Sequence, residues 1–242
     1  LSRQELLRRS EATGDPNLVR LAHESLPLTF SRRHGDPSRP WNIFSIRVKD
    51  EAGQRLLGYE GNWRDLFQNW EALAHSHPEL VEGMIHKFLD ASTLDGHNPY
   101  RVTREGFEWE VVDPHDAWSF IGYWGDHQVI YLLRLLEASR RFHPGALETL
   151  LGERRFTYAD VPYRLASHRE MLAHPRRTLT FDAEAHRRAM ARKARLGADG
   201  LLVPGPDGPL RGTLLEKLLL VALARLWSYV PEGGIWMNTQ RP

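Results

Sequence analysis

The chain has 242 residues, 41% hydrophobic and 26% charged, which is enough apolar material for one large domain or two small ones and ordinary for a globular protein. Its formal net charge is only +1, so no global field favours nucleic acid or a membrane surface. With no cysteine, disulfides, thiolate nucleophiles and cysteine-held zinc are excluded together.

The opening LSRQELLRRS is charged and helical in pattern, unlike the apolar run of a signal peptide, so the expected location is cytoplasmic. Residues 2–10 and 17–25 fit short amphipathic helices, and HGDPSRP (34–40) is a loop. WNIFSIRVKDEAGQRLLGYE (41–60) alternates apolar and polar residues around Glu51-Ala52-Gly53, the pattern of a β-hairpin. Asn62 is a good N-cap for a helix over 63–76, with Asp65 near its positive end. Pro78 can start the next helix, 78–90, in which Leu80, Val81, Met84, Ile85, Phe88 and Leu89 recur at helical spacing. From 91 to 125 the periodicity vanishes apart from a strand expected at Glu108–Val112, and a connection this long inside a compact domain tends to be functional. It resumes at Asp126, and further helices are expected over 144–152, 161–173, 183–196 and 213–229. TLLEKLLLVALARLW (213–227) carries Glu216, Lys217 and Arg225, too short and too charged to span a bilayer, and reads as a buried helix. The basic run HRRAMARKAR (186–195) reads as a solvated helix face, and GPDGP (205–209) as a turn, since it lacks the Lys and Ser/Thr of a phosphate loop. The fold class is therefore mainly α with short strands in loops. Residues 1–60 form a lead-in and 61–242 the principal helical unit. A first residue of Leu and a close on IWMNTQRP read as a piece of a longer protein.

Five of the eight tryptophans, Trp63, Trp70, Trp109, Trp118 and Trp124, share a quarter of the chain with Arg64, Asp65, Gln68, Asn69, Asp95, His97, Asn98, Tyr100, Asp113, Asp116 and Asp126. A sugar ring offers apolar C–H faces to aromatic side chains and a rim of hydroxyls that need fixed donors and acceptors, so this mixture suits carbohydrate. The same residues also suit a plainer role, tryptophans in the core and polar groups as helix caps. Placement separates the two: Arg64 and Asp65 fall in the first turn of one helix, Asp126 and His127 in the first turn of another, and Gln68 one turn beyond Arg64 on the same face. Capping alone leaves the tryptophan neighbours unexplained. Six of the twelve histidines fall between 75 and 127, but no ligand spacing such as H-E-x-x-H is present, so no metal is expected.

NWRDLFQNWEAL (62–73) resembles the Y-R-D-x-x-Q-D segment of the inverting glycoside phosphorylases typified by cellobiose and chitobiose phosphorylase. LDGHNPYRV (94–102) is similar to their D-G-x-x-x-H-Q-Y loop, and GYWGDHQVIYLLRLLEAS (122–139) to their S-D-D-x-L-W helix start. DVPYRL (160–165) and LGADGLLVP (196–204) are similar to their V-P-F and L-G-x-x-G-L-P segments, in the same order. Trp63 replaces a Tyr, Asn69 stands where the family has Asp, and Gly125 interrupts the doubled Asp. The resemblance implies part of an (α/α)6 toroid, the six-hairpin superfamily of glycosidases and phosphorylases. It further implies an oligosaccharide or glycoside substrate and substrate contacts from Trp63, Arg64, Asp65, Gln68, Asp95, Tyr100, Trp118, Trp124 and His127.

In inverting chemistry a carboxylic acid protonates the glycosidic oxygen while water or phosphate attacks the opposite face. Glu110, Asp113, Asp116 and Asp126 are the candidates for a base, with Asp126 chosen and hydroxyl binding its alternative role. The resemblance puts the general acid just after Pro242, outside this chain, and leaves inorganic phosphate as a co-substrate and no other cofactor. A non-catalytic helical carbohydrate-binding or scaffold module, and a purely structural helical repeat, are the rival expectations. No partner macromolecule or oligomeric state is read from the sequence.

Overall fold

A computed structural model of the chain describes residues 1–26, 51–54, 60–98, 101–103, 106–109, 111, 115, 128–174, 179–227, 229–230 and 234–235. Helices dominate them, as the periodicity requires. α1 (Arg3–Ala12) opens behind Ser2, whose hydroxyl accepts from the Glu5 N–H, and α2 (Pro16–Glu24) opens behind Asp15 with a proline in its first turn. Arg3 closes this hairpin by donating to the carbonyls of His23 at 2.9 Å and Ser25 at 2.8 Å. Glu51 and Ala52 form a turn with Gly53 at φ +78°, the middle of the expected 41–60 hairpin, whose arms lie largely outside the described residues.

β1 (Glu60–Asn62) runs straight into α3 (Trp63–Ser76), which starts directly after Asn62 as its sequence predicts. A 3-10 turn at Pro78–Leu80 leads into α4 (Val81–Asp90), together the helix expected over 78–90. Every α4 residue except Glu82 is buried, and Met84, Ile85, Phe88 and Leu89 form the centre of the core. Gly83 lets the α1–α2 hairpin close on α4: a Cβ there would meet Arg3 Nη2 at 2.5 Å and the His23 carbonyl oxygen at 2.8 Å.

β2 (Arg101–Thr103) and β3 (Gly106–Glu108) complete a three-stranded antiparallel sheet with β1, in which Asn62 lies opposite Arg101 and Val102 opposite Phe107. The strand expected at 108–112 thus sits two residues earlier, because Val102 and Phe107 are the apolar pair that the sheet buries.

α5 (Gln128–Phe142) packs on α3 and α4. Phe67 stacks on Tyr131 with ring centres 5.6 Å apart and meets Phe88 edge-on at 5.4 Å, while His75 meets Phe142 at 5.6 Å. At the far end of α4, Glu82 Oε1 accepts from the Ser139 hydroxyl at 2.6 Å and lies 2.9 Å from His143 Nδ1. These contacts fix direction: α3 and α5 run parallel, and α4 runs antiparallel to both.

α6 (Ala146–Leu151) and β4 (Phe156–Thr157) follow. The helix expected over 161–173 is a strand and a short helix, β5 (Tyr163–Leu165) and α7 (His168–Ala173), with β5 paired to β6 (Leu179–Phe181). Val161, Pro162 and Tyr163 are buried in succession, β5 pairs with β6 instead of coiling, and the capping box of Ser167 with Glu170 delays the helix. α8 (Ala183–Leu196), capped by Asp182, is largely solvated as expected, and a 3-10 turn at Gly197–Leu201 ends it. β7 (Pro204–Gly205) and β8 (Gly208–Pro209) form the turn read from GPDGP, and β9 (Arg211–Gly212) pairs with β4. α9 (Leu214–Trp227) precedes a two-residue ribbon of β10 (Tyr229–Val230) and β11 (Gly234–Ile235).

α9 corrects the expectation of a buried helix. Leu214, Lys217, Val221 and Ala224 face inward, whereas Leu215, Leu219, Leu223 and Leu226 are each more than half exposed. No helix among the described residues is long and apolar enough to cross a membrane.

Candidate functional site

Where α4 ends, the chain turns sharply through residues 91–98. Thr93 organises this turn: its N–H donates to the His97 carbonyl at 2.7 Å, and its hydroxyl accepts from the His97 N–H at 3.0 Å. The same hydroxyl contacts Asp95 Oδ1, and Asn98 Nδ2 reaches back to the Phe88 carbonyl at 3.4 Å. Gly96 has φ +79°, and a Cβ there would stand 2.2 Å from the Leu220 carbonyl oxygen, so only glycine lets the turn press on the backbone of α9.

The turn forms one wall of a cleft of about 530 Å³, within the roughly 300–1,000 Å³ usual for small-molecule sites. Asp95 and His97 face Tyr163, Arg164 and Ser167, with Leu220, Leu223 and Ala224 of α9 along the side. Burial pushes the His97 imidazole down to about 4, with Asp95 pulling upward and Arg225 pushing further down. At neutral pH the ring is therefore uncharged, and both of its nitrogens are buried beneath the cleft wall rather than open to it. The Asp95 carboxylate, the Ser167 hydroxyl and the exposed Arg164 guanidinium around an apolar side suit a hydroxyl-rich ligand.

Helix direction determines what lies near this turn. Because α3 and α5 are parallel and α4 opposes them, the first turns of α3 and α5 share one end of the layer with the close of α4. The β1–β2 register adds that Asn62, just before Trp63, pairs with Arg101, just after Tyr100 in sequence. Two bridges, Thr93 with Ala159 and Ala159 with Leu202, lay the turn, the 160–165 segment and the 196–204 segment side by side. The Asp160 N–H donates to the Leu201 carbonyl at 2.8 Å and the Val203 N–H to the Tyr158 carbonyl at 2.8 Å.

A scan against models of known protein families and a search of curated proteins find no match.

Of the residues singled out in the sequence, Asp95 lies in the cleft. Trp63, Arg64, Asp65 and Gln68 occupy the first two turns of α3, with their side chains outside the described set. Tyr100, Trp118, Trp124, Asp126 and His127 lie outside the described residues, as do Glu110, Asp113 and Asp116. Trp70 and Trp109, not chosen as sugar contacts, are buried, and Trp109 donates to His186 Nδ1 at 3.0 Å. His97, named in the tryptophan-rich cluster but not among the sugar contacts, also lines the cleft, and sequence reasoning missed Tyr163, Arg164 and Ser167, although DVPYRL holds the first two.

It also missed a second polar cluster around a cavity of about 190 Å³ beside α2. Arg20 donates to Glu24 and Asp199, both at 2.7 Å, Lys87 Nζ lies 3.7 Å from Glu24 Oε2, and Asp90 Oδ1 accepts from the Thr157 N–H at 2.7 Å. Burial raises both Glu24 and Asp90 above the usual carboxylate range. These groups pair with one another and tie α2, α4, β4 and the Gly197–Leu201 turn together. Among the described residues no group of three or more His, Asp or Glu side chains could hold a metal ion.

Proposed function

We propose that this chain is part of an (α/α) six-hairpin toroid that acts on glycosidic bonds by inversion, as a glycoside hydrolase or phosphorylase working in the cytoplasm. The observation that carries the reading is convergence. The segments resembling phosphorylase motifs are dispersed along the sequence, yet the starts of α3 and α5 share an end with the turn at 91–98, which lies beside the 160–165 and 196–204 segments. Beside them is a cleft of hexose scale.

On this reading Arg64 and Asp65 hydrogen-bond sugar hydroxyls, Gln68 braces them, and Trp63, Trp118 and Trp124 supply the stacking wall. Each such ring contact contributes about 0.5–1.5 kcal/mol beyond area burial. Asp95, Tyr100 and His127 complete the rim, and Asp126 serves as base or hydroxyl acceptor. Attack comes from activated water or from inorganic phosphate, which needs no base, and sequence following Pro242 in the parent supplies the proton donor.

The test incubates the parent protein with a panel of disaccharides, with and without phosphate, and looks for free sugar or sugar 1-phosphate. Asp65→Ala should lower turnover about a hundredfold or more, the scale of removing one charge-stabilising hydrogen bond from the transition state, with an unchanged circular dichroism spectrum. Sugar binding without turnover would select the non-catalytic module instead. Full turnover by the variant on every glycoside that the parent cleaves would reject the site.

A further inference from the structure

Lys217 has no solvent exposure. Its Nζ stands 2.9 Å from Ser92 Oγ, 3.2 Å from the Ser92 carbonyl oxygen and 3.7 Å from the centre of the Tyr158 ring. Ser92 Oγ gives its own proton to the Leu89 carbonyl at 2.8 Å, so toward Lys217 it can only accept. The pair is no nucleophile and base, because Ser92 is itself buried. What the amine holds is a position. Ser92 opens the turn that Thr93 organises, and Gly96 of that turn rests on the Leu220 carbonyl, about one helical turn beyond Lys217. Two anchor points, one turn of α9 apart, thus seat the segment that carries Asp95 and His97.

We propose that Lys217 is a positioning residue of the cleft: through Ser92 it fixes the 92–98 turn on α9, holds His97 beneath the cleft wall and so sets where Asp95 stands toward a ligand. The ligand's being a sugar rests on the reading above; the seating of the turn does not. The groups facing Lys217 are Asp90 from α4, Ser92 from the turn and Tyr158 from the segment after β4. On its own helix Glu216 is engaged elsewhere, with Arg154 at 3.0 Å and the Thr213 N–H at 2.8 Å. Burial lowers Lys217 to about 7, with Asp90 pulling part of the way back. Lifting the turn would hydrate the amine and return it toward its ordinary value near 10.5, so seating the turn releases a proton in that interval. The seat therefore tightens as pH rises from about 7.

The experiment follows the carbon resonances of Lys217 Cε, Thr93 and His97 in the 242-residue chain between pH 6 and 10. The wild-type Thr93 and His97 signals should shift with the Lys217 midpoint. In Lys217→Met, which keeps the length but cannot donate, that shift should vanish and the two signals should be displaced at every pH. Ser92→Ala leaves the lysine in place and should displace the same turn signals, which keeps the test open if Lys217→Met does not fold. Turn signals that ignore the Lys217 titration, or that both variants leave at wild-type positions, would overturn the proposal. In a separate arm with cellobiose as probe, Lys217→Met should raise the dissociation constant at least fivefold. If the wild-type chain binds no sugar while the turn still follows Lys217, the carbohydrate reading fails and the positioning role stands.

Discussion

α4 and α9 are both rich in apolar residues, and each carries ionisable groups, yet the fold uses them in opposite ways. α4 is enclosed on nearly every side, and its Lys87 and Asp90 are buried with partners from α2 and β4. α9 turns four leucines outward and buries a lysine. Apolar content tells how much surface a helix wants to hide, but which side is hidden is decided by the neighbour that reaches it. For α4 the neighbours arrive from all directions, with Gly83 admitting one hairpin at close range. For α9 the decisive neighbour is a short turn whose serine accepts from Lys217.

The contrast can be broken most forcefully at Phe88, which has no exposure and meets Phe67 edge-on. Phe88→Ala should cost about 3–5 kcal/mol, measured by urea unfolding. An intermediate effect is expected at His86, stacked between His23 at 4.5 Å and Phe156 at 4.4 Å. Burial lowers this imidazole to about 3, so the folded state stays neutral where the unfolded chain, near 6.5, takes up a proton. Its contribution is whole above pH 6.5 and is lost as pH falls toward 3. Relative to wild type, His86→Phe should flatten the acid limb of stability by up to about 1.4 kcal/mol per pH unit in that window. A parallel limb in both proteins would mean that His86 charges in the folded state. The smallest change belongs to α9: Leu219→Ala, at a position 54% exposed, should alter stability by no more than about 0.5 kcal/mol. A destabilisation comparable to that of Phe88→Ala would place another surface over the α9 leucines and erase the difference between the two helices.

Signals in the sequence are legible wherever they are local in cause. Asn62 announces α3, the solvated basic pattern marks α8, and GPDGP marks a turn. What stays hidden depends on distant partners. β1 and β2 are short strands far apart in sequence, so neither carries enough alternation to reveal its pairing. Residues 161–173 mislead because an apolar run of that length fits either period until Ser167 and Glu170 are recognised as a helix start. Within the site, Asp95 is readable as a polar residue in a glycine-containing loop, and His97 lies in the same LDGHNPYRV motif. Lys217 gives no warning, because a lysine in a helix is ordinarily a solvated one, and only the arrival of Ser92 makes it otherwise.

The missing side chain at Gly83 has a consequence for how this molecule can be cut. The first 26 residues are not an appendage, because α2 supplies Arg20, His23 and Glu24 to the same layer that holds His86, Lys87 and Asp90, and Arg3 lies where a methyl group would have blocked it. A version of the chain trimmed to begin at α3 would leave the central helix with a bare stripe and its ionisable groups without their counterparts. Such a truncation would behave as a damaged core rather than as a smaller domain.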